Sequence, residues 1–295
     1  MQLLDGLAVS QAIKDQLREE VDTLRVLGKK IPHLAAILVG TNPASESYVA
    51  SKVKDCQEIG FDSTLLRFDD KISEDNLLDQ ITLLNENAGV DGILVQLPLP
   101  RHISEEAVIN AIDPSKDVDG FHPVSIGKMV NGLPTFIPAT PYGIMLMLEH
   151  YRLETRGKHA VIIGRSHIVG TPMSILLSRN SAYGNCTVTL CHSQTRDLAA
   201  YCREADILVA ALGRPEFVRA GMVKPGAVVI DVGINRLEDP SRKRGYRLVG
   251  DVAFDEVAPL ASYITPVPGG VGPMTRAALL KNTFQAAISQ KVLMN

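Results

Sequence analysis

The stretch A-V-I-I-G-R-S-H-I-V-G-T-P at residues 160–172 decides the fold of this chain. Its apolar run, residues 160–163, is too short for a helix and ends at Gly164, and helix-compatible residues follow at 173–177. This order predicts a strand, a tight turn and a helix. The backbone N–H groups of such a turn lie at the positive end of the helix dipole, which favours a phosphate or pyrophosphate. The stretch therefore predicts a dinucleotide site, although a glycine turn at a strand end is about as often plain turn chemistry.

The residues around the turn indicate which dinucleotide is bound. The spacing departs from G-x-G-x-x-G, because Ser166 stands at the second glycine position and Gly170 closes the turn. The next predicted strand, residues 187–191, continues into His-Ser-Gln-Thr, without the Asp or Glu that bonds the ribose 2′-hydroxyl of NAD. The Arg165 guanidinium and the Ser193 hydroxyl can both bond a 2′-phosphate. We therefore predict NADP as the cofactor; the alternative is that Arg165 is a solvated surface arginine.

Composition places the chain among ordinary globular proteins. With 295 residues it is long enough for two domains, and 21% charged and 45% hydrophobic residues are typical of a soluble protein. A net charge of −3 gives no support for a nucleic-acid partner, and the one basic run, residues 242–244 with Arg247, is expected at a hairpin tip.

Targeting, membrane and metal signals are all weak. The sequence begins with no signal-peptide pattern and contains no apolar run that spans a membrane. The four cysteines form no C-x-x-C pair and the seven histidines show no zinc-site spacing. We expect reduced thiols, a cytoplasmic enzyme, no membrane association and no metal.

Strands and helices alternate along the chain. Strands are predicted at 34–39, 65–68 and 90–97 with helices between them, and further strands at 207–211 and 227–232. This alternation predicts an α/β fold of two domains, each with a parallel sheet covered by helices, in which ligands bind beyond the carboxyl ends of strands. No internal repeat is evident.

The predicted domain boundaries follow from a proline-containing segment and from the last helix. P-A-T-P at 138–141 is interpreted as the crossing into a Rossmann-like NADP-binding domain at residues 140–272. A catalytic domain is expected at 1–139 and 273–295. The first helix, with apolar residues every three or four positions, should place Lys14 on its charged outer face. The last helix should return to the first domain through one apolar face, formed by Ala277, Leu280, Phe284 and Ile288.

Four polar residues form a candidate catalytic set. Tyr48 and Lys52 lie four apart in a predicted helix, so both project from one face; a solvated stripe is the plain alternative. Gln96 ends a strand of the same predicted sheet, where it can hold a lysine amine or satisfy backbone groups. Asp119, followed by Gly120, can anchor ligand N–H groups or form an Asx-type turn.

At this point five long motifs, in order along nearly the whole chain, resemble a known family. They are P-A-S-E-S-Y-V-A-S-K-V-K at 43–54, V-D-G-I-L-V-Q-L-P-L-P at 90–100, D-V-D-G-F-H-P at 117–123, G-R-S-H-I-V-G-T-P at 164–172 and P-V-P-G-G-V-G-P-M-T at 266–275. The chain resembles the bifunctional methylenetetrahydrofolate dehydrogenases and methenyltetrahydrofolate cyclohydrolases of the bacterial, NADP-dependent form. Ala139 stands where that family usually has Cys, a small-for-small change that leaves Thr140 and Pro141 intact.

The resemblance implies residue roles. Lys52 would be the catalytic lysine, Tyr48 the tyrosine on the pterin side, Gln96 the partner of the lysine and Asp119 the pterin anchor. Further substrate-binding residues would be Leu97, Pro266, Gly269 and Gly270. Residues that bind the cofactor would be Gly164, Arg165, Ser166, Ile168, Val169, Gly170, Ser193, Gly213 and Ile234.

The implied activity is oxidation of 5,10-methylenetetrahydrofolate with NADP⁺, followed by hydrolysis of the methenyl product at the same site. A homodimer formed through the cofactor domains is also implied. Two alternatives stay open: a monofunctional NAD(P) dehydrogenase acting on a small acid or amino acid, and a folate- or nucleotide-binding protein without turnover.

Overall fold

The structure is a computed structural model, which describes residues 1–242 and 245–292. Within these residues the strands are β1 (Gln2–Leu3), β2 (His33–Val39), β3 (Asp62–Phe68), β4 (Gly92–Val95), β5 (His159–Ile163), β6 (Thr187–Cys191), β7 (Ile207–Ala210), β8 (Val228–Asp231), β9 (Asn235–Glu238), β10 (Tyr246–Val249) and β11 (Tyr263–Ile264). The helices are α1 (Gly6–Val26), α2 (Pro43–Ile59), α3 (Glu74–Glu86), α4 (Glu105–Ala111), α5 (Pro123–Val130), α6 (Ala139–His150), α7 (Gly170–Ser178), α8 (Leu198–Arg203), α9 (Phe254–Val257) and α10 (Val271–Val292), with a 3₁₀ turn at Ala220–Met222.

The chain divides into two compact units. Unit 1 consists of Met1–Gln11 and Thr140–Thr275, and unit 2 consists of Ala12–Ala139 with the described residues from Arg276 onward. The first eleven residues belong to unit 1 because β1 pairs in parallel with β11. The sequence placed them with the other unit, since a two-residue strand leaves no periodic signal.

Unit 1 is built on a six-stranded parallel sheet with the order β1-β11-β8-β7-β5-β6. β7 and all of β5 except the half-buried His159 are buried, so both faces of these strands are covered. β9 and β10 form a separate antiparallel hairpin, as predicted for the segment around Arg242. Lys243 and Arg244 of the predicted basic tip lie outside the described residues.

Unit 2 is built on a three-stranded parallel sheet with the order β3-β2-β4. Residues 34–39 of β2 are all buried, so both faces of this strand are covered. On one face, Ala35, Ile37 and Val39 pack with Leu77 and Ile81 of α3 in a single apolar cluster. The predicted parallel α/β architecture is confirmed.

A polar arrangement at the start of β2 holds the three strands of unit 2 in register. The His33 backbone N–H donates to Asp91 Oδ2 (2.9 Å), and the ring Nε2 lies 2.9 Å from Thr64 Oγ1 on β3. Lys30 pairs with Asp91 at 2.7 Å. The start of β2 is thereby joined to β3 through the His33 ring and to the residue before β4 through the Asp91 carboxylate.

The same arrangement recurs at the start of β5 in unit 1. The His159 backbone N–H donates to Asp206 Oδ2 (2.9 Å), its Nε2 lies 2.9 Å from Thr189 Oγ1 on β6, and Lys224 pairs with Asp206 at 2.6 Å. The sequence shows no internal repeat. The repetition is visible only in three dimensions because it involves single residues on three separate strands.

The last helix belongs to both units and packs on unit 2 through its longer part. Asn282 is buried, and its Nδ2 donates to the carbonyl oxygens of Val118 (2.8 Å) and Ile137 (2.9 Å). The Phe284 ring stacks on Phe61 with centroids 6.4 Å apart. The predicted return of the helix to the first domain is confirmed.

Two side chains differ from the sequence-based prediction. Ile288 is 41% exposed, because the buried stripe of α10 is centred on Leu279, Thr283 and Ala287, one position before the stripe that was predicted. Lys14 is buried, and its Nζ lies 2.8 Å from Glu58 Oε2 on α2. From the sequence alone, a charged residue is predicted to face solvent. In the structure, α2 covers Lys14 and supplies the opposite charge through Glu58.

Candidate active site

The first turns of α2 place Tyr48 and Lys52 beyond the carboxyl end of the unit 2 sheet. The helix starts four residues after β2, and Asn42 caps it by accepting hydrogen bonds from the N–H groups of Ala44 (2.9 Å) and Ser45 (3.2 Å). Lys52 is only 5% exposed, and its Nζ lies 4.7 Å from the centroid of the Tyr48 ring. The solvated-stripe alternative is therefore wrong for Lys52.

Gln96 holds the lysine amine from the neighbouring strand. It follows β4, and its backbone N–H donates to Ile37 O (2.9 Å), which fixes it at the same edge of the sheet. The side-chain Nε2 donates to Leu97 O (2.7 Å), so Oε1 is the atom that faces Lys52 Nζ, at 3.3 Å. The structure thus brings Tyr48, Lys52, Gln96 and Leu97 together as expected.

Asp119 is the acidic residue whose charge interacts with the Lys52 amine. Burial lowers the pKa of Lys52, an effect that the negative charge of Asp119 partly offsets. Burial likewise raises the pKa of Asp119, and Lys52 opposes that rise. The arrangement contains an amine that gives up its proton more readily than an exposed lysine, beside a carboxyl group that holds its proton more strongly than an exposed aspartate.

Asp117, for which the sequence predicts no role, makes the side-chain turn contacts that are the alternative role of Asp119. Its carboxylate accepts hydrogen bonds from Phe121 N (3.2 Å), His122 N (2.9 Å) and Ser125 Oγ (2.7 Å). Burial raises the pKa of Asp117 to about 6. In the sequence, Ser125, eight residues after Asp117, is the residue that could have indicated this role of Asp117. With the turn held by Asp117, the Asp119 side chain is not needed for it.

The dinucleotide turn of unit 1 depends on close backbone contacts. Gly164 has φ +120°, and a Cβ added there would overlap the carbonyl oxygen of Ala211. A Cβ on Gly170, the first residue of α7, would overlap the carbonyl oxygen of Gly164. Ser166, at the variant position, closes the turn by accepting from Val169 N (3.1 Å) through its hydroxyl. The turn is compact and lies directly before α7, and the start of a helix favours an anion.

The residues predicted to recognise the 2′-phosphate follow two paired strands. Ile163 of β5 is paired with Cys191 of β6, so Arg165 and Ser193 extend from adjacent strand ends, and both are exposed. Ile168, on the turn itself, is also exposed. These positions fit the binding of an exposed anionic group.

The glycine- and proline-rich loop lines a cavity of about 230 Å³ in unit 1. The lining includes Pro266, Gly269, Gly270 and Ile234. A Cβ on Gly270 would lie 2.6 Å from Pro266 O, so the loop folds tightly on itself. The structure therefore brings residues predicted to border the folate together with Ile234, which was predicted to contact the cofactor.

All four cysteines are free and buried, and burial raises the pKa of Cys56 to about 12. Among the described residues, no group of three or more His, Cys, Asp or Glu side chains could hold a metal ion. Helices of the described part of the chain are all too short or too polar to cross a membrane.

The fold and these sites define a two-domain α/β enzyme with a nucleotide-binding domain and a separate lysine-containing catalytic domain. Residues 4–119 match the tetrahydrofolate dehydrogenase/cyclohydrolase catalytic domain, and residues 138–291 match the NAD(P)-binding domain of the same family. The chain belongs to the tetrahydrofolate dehydrogenase/cyclohydrolase family. The predicted bifunctional enzyme class is confirmed.

Individual relatives are similar to this chain over nearly its whole length. The bifunctional protein FolD of Cytophaga hutchinsonii is 58% identical over 287 residues, which are 97% of this chain and 99% of the relative. The crystal structure of the bifunctional enzyme from Campylobacter jejuni is 48% identical, with a TM-score of 0.92 over 98% of this chain and 99% of that one. The Trypanosoma brucei enzyme, whose structure is complexed with NADP cofactor and an inhibitor, is 40% identical, with a TM-score of 0.91 over 97% of each chain.

Proposed function

We propose that this protein oxidises 5,10-methylenetetrahydrofolate to the 5,10-methenyl cation with NADP⁺ and then hydrolyses that cation to 10-formyltetrahydrofolate at the same folate site. The observation that carries the proposal is the buried Lys52 amine, held by Gln96 Oε1 at 3.3 Å beside Tyr48 and Asp119. This set lies at the carboxyl edge of a parallel sheet, where α/β enzymes bind their ligands.

The two reactions make different demands on these residues. Loss of hydride from the methylene bridge leaves a cation delocalised over two folate nitrogens, so this step depends mainly on orientation. NADP⁺ supplies the hydride acceptor when bound. Hydrolysis requires that a proton leave the attacking water and that a nitrogen receive one as the ring opens. The second reaction therefore needs an acid–base group, and the first does not.

Lys52 is assigned to the proton transfers of hydrolysis. Its lowered pKa gives a larger fraction of neutral amine near neutral pH than an exposed lysine has, and a bound cationic substrate would lower the pKa further. Gln96 fixes the direction of the amine, and Tyr48 covers one side of it. Asp119 is assigned to the pterin, since a carboxyl group can pair with ring N–H groups.

The preference for NADP is assigned to Arg165 and Ser193. Both side chains are exposed at neighbouring strand ends, and no carboxylate occurs among residues 192–195 to repel a 2′-phosphate. The dinucleotide itself would lie on the turn formed by Gly164, Ser166 and Gly170, with Val169 at the helix start and Ile168, Gly213 and Ile234 beside it. The Trypanosoma brucei relative is complexed with NADP, which supports NADP as the cofactor.

Assembly, location and boundaries complete the proposal. The enzyme acts in the cytoplasm as a homodimer on tetrahydrofolate substrates. Its functional domain boundaries lie at 139/140 and 272/273. The loop that contains Pro266, Gly269 and Gly270 borders the folate. Light scattering of the purified protein tests the dimer, because a monomeric mass at working concentration contradicts it.

A paired spectroscopic assay tests the reaction. Methylenetetrahydrofolate with NADP⁺ should give NADPH absorbance, and methenyltetrahydrofolate alone should lose its own absorbance faster than in buffer. NADPH formation without methenyl decay would identify a monofunctional dehydrogenase. Folate or nucleotide binding without either signal would identify a binding protein.

A further inference from the structure

Asp251, which follows β10, accepts hydrogen bonds from three backbone N–H groups and from one side-chain amide. It is fully buried. Its Oδ2 accepts hydrogen bonds from Leu212 N (2.6 Å) and Gly213 N (2.9 Å), and its Oδ1 accepts from Arg214 N (2.8 Å) and Asn235 Nδ2 (2.9 Å). Three consecutive N–H groups of the loop after β7 thus converge on one carboxylate. We call residues 211–214 the β7 loop.

A second buried carboxylate supports the first. Asp231, at the end of β8, accepts hydrogen bonds from the N–H groups of Gly233 (3.0 Å), Asp251 (2.8 Å) and Val252 (2.9 Å). A Cβ on Gly233 would overlap the Asp251 carboxylate, and a Cβ on Gly250 would overlap the Asp231 carboxylate. The two glycines therefore provide the space that the two carboxylates occupy.

This arrangement is costly as a purely structural device. Burial, together with the nearby charge of Asp251, raises the pKa of Asp231 to about 7. Two adjacent buried carboxylates are less favourable for folding than one carboxylate and a neutral side chain. Carboxyl groups whose pKa is shifted by burial and by a neighbouring like charge are concentrated at functional sites.

The β7 loop forms one wall of the dinucleotide turn. Ala211 N donates to Ile163 O (2.9 Å) at the end of β5, and the space beside Gly164 is filled by Ala211 O. Gly213, two residues further along the loop, has φ +65°. Displacement of this loop would therefore change the shape of the turn itself. Asn235, the other partner of Asp251, directly follows Ile234.

We propose that Asp251 is a positioning residue for the dinucleotide: it fixes the β7 loop and Asn235 in the geometry that binds NADP⁺, without touching the cofactor. The inference rests on the proposed function for the identity of the ligand. Arg165 and Ser193 are assigned to the 2′-phosphate, which only NADP⁺ carries. Asp251 instead contributes to binding of the part of the dinucleotide that NADP⁺ and NAD⁺ share.

The substitution Asp251→Asn tests the proposal, because the new amide group would point an N–H at backbone N–H donors. Loss of charge-assisted hydrogen bonds of this kind predicts an increase of about 10- to 100-fold in the dissociation constant of NADP⁺, measured by calorimetry without folate. Asp206→Asn is the matched control. This control makes the same Asp-to-Asn change in the same sheet, because the Asp206 carboxylate also accepts a backbone N–H. Asp206, however, lies at the amino ends of the strands, away from the dinucleotide turn. The affinity of this variant for NADP⁺ should therefore stay within about twofold of the wild type.

Kinetics separate positioning from a general loss of structure. With Asp251→Asn, the KM values for NADP⁺ and NAD⁺ should rise by the same factor, kcat at saturating NADP⁺ should stay within a few fold, and cyclohydrolase activity without cofactor should persist. Asn235→Ala removes one of the four donors and leaves both carboxylates in place; an increase of about three- to tenfold in the dissociation constant is expected.

The outcomes are distinct. Unchanged NADP⁺ affinity in a folded Asp251→Asn protein, or in Asn235→Ala if Asp251→Asn does not fold, would overturn the proposal. An equal fall of both activities with intact NADP⁺ affinity would also overturn it. Because binding is measured directly, a wild-type protein that binds NADP⁺ but does not oxidise methylenetetrahydrofolate would refute the proposed function alone.

Discussion

Replacement of Lys52 by Met separates the two activities. Methionine keeps much of the length and the apolar stem of lysine and removes only the amine. In the structure, the amine lies 3.3 Å from Gln96 Oε1 and 4.7 Å from the centroid of the Tyr48 ring, and it interacts with the charge of Asp119. Gln96 cannot replace it as a base, because an amide nitrogen is not basic, and a tyrosine phenol ordinarily ionises only near pH 10.

The size of the effect follows from the lost proton transfer. Removal of an acid–base group typically lowers a rate by roughly 10²- to 10⁴-fold, equivalent to a barrier increase of about 3 to 5 kcal/mol. We expect this fall in cyclohydrolase kcat. Dehydrogenase kcat should fall much less, because hydride transfer requires no proton transfer from Lys52.

The folded state should tolerate the substitution. Burial lowers the pKa of Lys52, so the ammonium form is less favourable in the folded than in the unfolded protein. That unfavourable contribution is fully present below the folded pKa and disappears as pH rises toward the unfolded value. At pH 7 the melting temperature of Lys52→Met should therefore equal or exceed that of the wild type.

The assay measures NADPH formation and methenyl decay on one preparation. Lys54→Met is the matched control, since Lys54 lies on the same helix but is exposed, and both of its activities should stay near wild type. Equal falls of the two activities in Lys52→Met would show that Lys52 contributes to binding rather than to proton transfer.

Three further predictions follow from the sites. Cyclohydrolase activity should rise with pH through the lowered pKa of Lys52, because deprotonation creates the base, and the rise should vanish in Lys52→Met; a profile unchanged by that substitution contradicts the assignment. Arg165→Ala should weaken NADP⁺ binding by about 1.5 to 3 kcal/mol and leave the NAD⁺ KM nearly unchanged, whereas equal effects on both cofactors would remove Arg165 from phosphate recognition. Asn282→Leu should destabilise the protein by about 1 to 3 kcal/mol in urea titrations because it leaves the buried carbonyls of Val118 and Ile137 without a donor, whereas a change below 0.5 kcal/mol, roughly that of a surface substitution, would show that these bonds contribute little.

The sequence determined the architecture and most of the chemistry. Short apolar runs bounded by glycine and proline identified the strands, since strand length and turn residues are local properties. The Tyr48–Lys52 spacing fixed a common helix face, and the absence of a carboxylate after β6 indicated NADP. The five motifs also identified the family, because long ordered matches do not require a structure.

The tertiary structure decided which polar residues are buried and what they contact. Lys14 has the pattern of a solvent-facing lysine, yet α2 covers it, and Asp117 rather than Asp119 forms the turn. The carboxylate of Asp251 meets the β7 loop from 37 to 39 residues away along the chain. Sequence periodicity reports only neighbours within one element, whereas burial and hydrogen-bond partners of these side chains depend on segments that meet only after folding.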